Sequence, residues 1–285
     1  MGQDVNGFCR ILRDAGHAVA VKGIAAPAPR LAALPAEGRA EILSLYRRLG
    51  GRQKAPELRP GPWDVLVDGV LVEVDEQLHF NRYRALTLTA SSYRLLPRFP
   101  LSAYRSFCTT KESACLKVGA GQGRWMNTST EAHFGPSGPR GVLPGNGSSR
   151  WKQRAIYDLM KDFTQLDPAA PPLARIAIWD SLPGVPGATV EDAVHGPPNA
   201  AITQGLLLLL EARAGRQLNR HSSASSDCDS PRLRRSSDGP KGGDEPARPD
   251  ATQATRITAH GSSRACRQAR RVSPRGSPGS SGEGR

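Results

Sequence analysis

Three of the five carboxylates in the run WDVLVDGVLVEVDEQ, positions 63–77, fall where they could act together. They are Asp64, Glu73 and Asp75, and between them lies Asp68-Gly69. Two β-branched runs around an Asp-Gly pair are the signature of a two-residue hairpin. With Asp68 and Gly69 in the turn, Val67 faces Val70, Leu66 faces Leu71, Val65 faces Val72 and Asp64 faces Glu73. Strand alternation then places Asp64, Leu66, Leu71, Glu73 and Asp75 on one face. Trp63 and the valines at 65, 67, 70, 72 and 74 take the other, packed face. Like charges directly opposed across two strands destabilise a sheet. A divalent cation resolves the conflict, because Mg²⁺ takes carboxylate oxygens together with waters. The spacing therefore predicts a cation site at Asp64 and Glu73, for Mg²⁺ or Mn²⁺. The competing reading is a solvated edge hairpin, and the apolar remainder of the strand argues against it.

Asp64, eight residues, then Glu73-Val74-Asp75 resembles the PD-(D/E)XK nuclease superfamily, the restriction-endonuclease-like fold. Within it, VEVDEQLHF is similar to the branch of short-patch-repair endonucleases, in which a His follows the strand; here it would be His79. Two departures stand out. Asp75 occupies the usual lysine position, as in that branch, and Glu76 occupies the position of a glycine, unlike that branch. Gln153-x-x-x-Tyr157 is similar to a helix motif of the RecB-like nucleases in the same superfamily, where both residues lie beside the metal and the DNA. The resemblance covers about 36–80 and 150–180. It implies metal-dependent phosphodiester hydrolysis, with Asp64 and Glu73 holding the cation and Asp75 or His79 as general base. Lys152, Arg82 or Arg84 would stabilise the phosphate charge, and the two arginines are also expected phosphate contacts. Nucleic acid, with DNA as the expected polymer, is the implied partner, in repair, restriction or defence. A catalytically inactive nuclease-fold protein binding nucleic acid or a protein partner is the alternative, and an unrelated α/β domain with surface acids is a third.

The elements that must position these groups are predicted as follows. A helix covers about 5–15, and a second covers 36–49, where Ile42, Leu45, Tyr46 and Leu49 repeat at helical spacing before Gly50-Gly51. After the hairpin a helix runs from Gln77 through HFNRYRALTL. Residues 91–150 read as a loop-rich insertion. A helix at 151–166, a buried strand LARIAIW at 173–179 and a helix at 198–214 complete the domain. The expected fold class is α/β, a central mixed sheet with the hairpin at its core and helices on its flanks, in residues 1–215.

Residues 216–285 carry 14 Lys+Arg against 7 Asp+Glu and no Phe, Trp or Tyr. Such a segment cannot bury enough apolar area to offset its ordering entropy, so it is expected to form a disordered basic tail. The whole chain carries a formal charge of +13, which favours polyanions as partners. The longest apolar run is Leu206–Leu210, far short of a membrane span. The N-terminal residues lack the apolar stretch of an export signal, and Asn6 stands where myristoylation wants Ser or Thr. A cytoplasmic location without membrane contact is expected, with five cysteines, an odd number, kept reduced. Cys108, Cys115 and His133 have no standard zinc spacing and read as buried groups. GAGQG at 119–123 lacks the strand-to-helix context and following lysine of a phosphate loop.

Overall fold

A computed structural model describes residues 2–21, 27–121 and 123–219. They fall in one compact unit, Met1–Ser226. Four strands form one sheet in the order β1 (Val19–Val21), β2 (Val65–Val67), β3 (Val70–Asp75), β4 (Leu173–Ala177). The β1–β2 and β2–β3 pairs are antiparallel and β3–β4 is parallel. The mixed α/β class expected from the sequence is therefore found.

The hairpin has the register deduced from its turn, with Val65 opposite Val72, Leu66 opposite Leu71 and Val67 opposite Val70. Asp68 and Gly69 have φ of 48° and 81°. Two successive positive φ values let a two-residue turn follow the sheet twist, and Asp and Gly reach them at low cost. The Asp68 carboxylate also accepts the Ala18 N–H at 3.0 Å and lies 2.7 Å from His17 Nδ1, which ties the turn to the residues entering β1.

Helices cover both faces. On one, Val65, Val67, Val70, Val72 and Val74 pack on α1 (Gln3–Asp14), α8 (Val190–His195) and α9 (Ala200–Ala214). On the other lie α2 (Ala36–Arg48) and α7 (Ser149–Asp162), with α3 (Arg82–Thr87), α4 (Leu101–Thr110), α5 (Glu112–Gly119) and α6 (Thr128–Phe134) in the same core. β3 is buried along its whole length, as a central strand covered on both sides must be. Trp63 departs from the expected alternation: it packs with Leu66, Leu71 and Leu173 rather than with the valines. The strand begins only at Val65, so the two-residue period does not extend back to Trp63.

Two further expectations need correction. The helix expected from Gln77 is broken into a 3₁₀ turn at Gln77–His79 and α3 from Arg82. The Asn81 side chain accepts the N–H groups of Tyr83 and Arg84 and so starts a new helix. Residues 91–150 are largely helical, carrying α4, α5, α6 and the first turn of α7. Their Gly-Pro segments are the connections between short helices, and sixty residues without secondary structure would be unusual inside a compact unit.

The packed chain also runs slightly past residue 215. Leu218 is buried in the valine-side core and its N–H reaches Glu211 Oε1 at 3.0 Å, while Arg216 donates to the Asp68 carbonyl at 2.9 Å. The rest of the expected tail lies outside the described residues. A chain ending at Asn219 should melt at the same temperature and as cooperatively as the full chain. One ending at Gly215 should melt lower, because it loses the Leu218 contact. Equal melting of the two in calorimetry would remove Leu218 from the fold. Among the described residues, no helix is long and apolar enough to cross a membrane.

Candidate active site

The central strands carry a polar stripe toward α7. Glu73 and Asp75 alternate on β3, and Arg175 stands beside Glu73 on the parallel β4. α7 answers with Asp158, Lys161 and Asp162, spaced three, four and one apart so that all three meet the sheet. Buried charges must be paired, and these are. Arg175 reaches Asp162 and Asp75 at 2.7 Å each and the Asp158 carbonyl at 3.0 Å. Asp162 also takes Arg84 at 2.7 Å and the Tyr93 hydroxyl at 2.5 Å. Lys161 donates to Glu73 Oε1 at 2.7 Å and to the Pro62 carbonyl at 3.0 Å, and its ammonium lies 5.3 Å from the centre of the Trp63 ring.

Glu73, Asp158 and Lys161 of this network reach an open cavity of about 830 Å³. Asp64, His79, Gln153 and Tyr157 line its wall with them, and acids and bases are interleaved there: Arg154 stands one turn before Asp158 on α7, Arg150 one turn before that, and Arg59 pairs with Glu57 at 2.7 Å. Asp64 and Glu73, predicted to face each other, do share this wall. The Asp64 N–H donates to Glu73 Oε1, and the Val74 N–H donates to Asp64 Oδ2, both at 3.2 Å. Among the described residues Asp64 Oδ1 accepts no hydrogen bond, and Glu73 Oε2 has only the Arg175 guanidinium at 3.8 Å. Burial pushes Glu73 up to about 7, against the pull of Lys161 and with the help of the Asp64 charge. Asp75, Asp158 and Asp162 are paired with Arg84, Arg175 and His79, and Glu73 with Lys161, which leaves Asp64 without a cation partner among the described residues. The donor set fits a hard divalent cation: two carboxylates on one cavity wall, each with a spare oxygen.

Asp75, His79 and Asp158 also bring ligand atoms within 4.8 Å of one another. Their geometry is already satisfied without a metal. His79 Nδ1 donates to Asp158 Oδ2 at 2.9 Å and lies 3.1 Å from Asp75 Oδ1, while Tyr104 donates to Asp75 Oδ2 at 2.7 Å. Burial would lower His79, but the charges of Asp158 and Asp75 outweigh it and raise the imidazole above its ordinary value; Arg154 opposes them weakly. Asp158 is held well below the carboxylate range, since His79 and Arg175 overcome its own burial. A histidine raised in the folded state contributes stability that is full below its unfolded value of about 6.5 and fades as pH rises through the folded value. His79→Gln should therefore cost more stability near pH 5.5 than near pH 9 in urea titrations. A cost that does not change with pH would mean that His79 is held neutral.

Gln153 and Tyr157 are on the cavity wall as expected, with the Tyr157 hydroxyl accepting the Arg59 N–H at 3.4 Å. Four expected site residues are not there. Asp75 is 1 % exposed and both of its oxygens are taken by Arg175 and Tyr104, so it is no base for a water in the cavity. Lys152 donates to Asn146 Oδ1 at 2.6 Å and packs over Tyr83. It lies nine residues before Lys161, about half a turn round the helix, so it faces away. Arg82 is clamped on Glu112 through two guanidinium contacts of 3.0 and 2.8 Å. Arg84 is 1 % exposed and neutralises Asp162, so it cannot meet a phosphate. Lys161 contacts Glu73 at 2.7 Å on the cavity wall, and the sequence pattern singled out neither it nor Asp158, Asp162 and Arg175. One signal was available: Arg175 is the single charge in an otherwise apolar buried strand, and such a residue needs carboxylates opposite it.

Cys108 and Cys115 are buried free thiols, each pushed up to about 12 by burial. No curated protein and no solved structure matches the chain. Residues 44–196 match the model described as Family of unknown function (DUF7255). This span is more than half of the sequence and contains Asp64, Glu73, α7 and Arg175, so the chain belongs to that family.

Proposed function

We propose that this protein is a divalent-cation-dependent nuclease of the PD-(D/E)XK type, acting on nucleic acid, with DNA as the expected polymer, in the cytoplasm. One observation carries the reading: Asp64 and Glu73 open onto the same cavity as Gln153, Tyr157 and Lys161, which Arg59, Arg150 and Arg154 also line. The order helix, hairpin, helix, strand around that cavity agrees with the core that the resemblance implies. Free buried thiols suit a reducing compartment.

Asp64 Oδ1 and Glu73 Oε2 would hold Mg²⁺ or Mn²⁺. A bound cation of this kind polarises a phosphoryl oxygen and lowers the pKa of water. Lys161 pulls the Glu73 carboxyl down against its burial and places a fixed positive charge where the attacked phosphate gathers negative charge. Asp158 and Asp75 lock His79 through Nδ1, which leaves Nε2 without a protein partner among the described residues. A histidine that stays protonated to higher pH is suited to give its Nε2 proton to the leaving oxygen as the P–O bond breaks. Water adds to phosphorus and releases its proton to solvent, from which His79 is reprotonated; the products are a phosphate monoester and a free hydroxyl.

The test is cleavage of single- and double-stranded DNA and of RNA, with Mg²⁺, with Mn²⁺ and with chelator. Metal-dependent cleavage of any of these polymers supports the reading. A wild-type protein that cleaves none of them, and whose melting temperature Mg²⁺ and Mn²⁺ do not raise, overturns it. The inactive alternative has its own support in the Lys161–Glu73 pair, which already neutralises one of the two cation ligands. It predicts nucleic-acid binding with no metal-induced shift in melting.

A further inference from the structure

Arg150 and Arg154 stand one turn apart on α7, and both line the cavity. Each is half-buried. Among the described residues, neither guanidinium has a carboxylate within ion-pair distance or a hydrogen-bond acceptor. Every buried cation of the neighbouring network is paired, so these two are exceptions beside it. Like charges four residues apart on a helix repel. Burial, and then the charge of Arg154, hold Arg150 below the ordinary arginine value. The fold gains nothing from this pair. Arg150 is also the second residue of a fourteen-residue helix, where the positive end of the helix dipole adds to its charge. Two neighbouring guanidinium groups on a cavity wall at a helix N-terminus suit an anion.

The walls limit which anion. Residues Gln53–Gly61 bound the cavity on one side and α6, through Ser129, Ala132 and His133, on another. The half-buried Tyr157 lines the same cavity near Arg150, with its hydroxyl tied to the Arg59 N–H. A duplex offers phosphates on a stiff convex surface, and its bases are stacked inside. An unpaired strand can bend between two walls and lay a base on an aromatic ring.

We propose, building on the nuclease reading, that Arg150 and Arg154 clamp phosphates flanking the scissile one on a single unpaired nucleic-acid strand, and that Tyr157 is the stacking surface for one of its bases. The substrate class is a single strand, or the frayed or extruded strand of a duplex, with at least two consecutive phosphates held.

The test uses the full chain in chelator, so that binding is read without cleavage. Fluorescence anisotropy follows a labelled short oligonucleotide, single-stranded and as the matching duplex, across a salt series. Each phosphate contact on a single strand contributes about 0.7 to the slope of log affinity against log salt. Arg150→Gln with Arg154→Gln should lower that slope by about 1.4 for the single strand. Tyr157→Leu should weaken single-strand binding about tenfold, with the slope unchanged. Any contribution from the basic C-terminal segment is common to wild type and variants and cancels in the difference. If the double variant melts below wild type, each single variant is read alone, with an expected loss of about 0.7. An unchanged slope, or duplex bound as tightly as single strand with the same loss, overturns the clamp. Loss of slope in a protein that never cleaves leaves the clamp standing and removes only the nuclease reading. Cleavage with an unchanged slope removes only the clamp.

Discussion

Asp64→Asn and Glu73→Gln should each reduce Mg²⁺-dependent cleavage at least about a thousandfold, equivalent to roughly 4 kcal/mol of lost transition-state stabilisation. Each swap keeps the shape of the side chain and removes one of the two carboxylates with an oxygen left for a cation. Neither should unfold the protein. Burial has already brought Glu73 up to about 7, so at neutral pH the fold tolerates its uncharged form. A glutamine still accepts from Lys161, which keeps the Pro62 carbonyl as well. Asp64→Asn relieves Glu73 of a like charge. The decisive measurement is the rise in melting temperature on adding Mg²⁺, alongside the cleavage rate. Wild type should show both, and the two variants should lose both together. Variants that melt well below wild type in the absence of metal, with no metal shift in any of the three, would make these carboxylates structural.

The hairpin register was legible because a two-residue turn leaves no freedom: once Asp68-Gly69 is the turn, every opposed pair from Val67–Val70 to Val65–Val72 follows, and Asp64, just before the strand, meets Glu73 through its N–H. The helices with a clean apolar stripe, α2 and α7, were legible for the same kind of reason. What the sequence hid is the inward-facing polar half of α7. Its apolar residues announce a helix, but eleven of its fourteen residues are buried, and periodicity assigns the polar ones to solvent. Lys152 and Lys161 illustrate the failure. Both are lysines on one helix, half a turn apart, and only the partner decides between them: Asn146 for one, Glu73 for the other. Those partners come from a loop 6 residues away and a strand 88 residues away. Arg84 misled in the same manner, since adjacency to His79 in sequence gave no hint that Asn81 would start a new helix and turn Arg84 toward Asp162. Charges fixed by local geometry could be read, and charges fixed by tertiary pairing could not.

The largest loss of stability should follow from Arg175→Met. Arg175 is 2 % exposed and is the one side chain that binds Asp75 and Asp162 directly while also lying 3.8 Å from Glu73 and 3.6 Å from Asp158. Methionine fills most of the volume, so the change tests charge rather than packing. Removing one partner of a buried ion pair typically costs about 3–5 kcal/mol, because the other charge stays buried without compensation. Here two carboxylates lose a cation at 2.7 Å at once. Asp162 keeps Arg84 and Tyr93, and Asp75 keeps Tyr104 and His79, which holds the loss near that range instead of doubling it. For a folded unit of about this size the fall in melting temperature is on the order of 10 °C. Arg175→Lys should recover part of it, since a lysine supplies the charge but not the planar fork that reaches two carboxylates together. The unfolding slope in urea should stay unchanged, marking a loss of stability without a change in the surface exposed. If Arg175→Met melts within a degree or two of wild type, the carboxylates of α7 and β3 are protonated in the fold. The charged network on which the cation reading of Asp64 and Glu73 rests would then not exist. One substitution away from the cavity wall thus checks the electrostatic premise of the site independently of any cleavage.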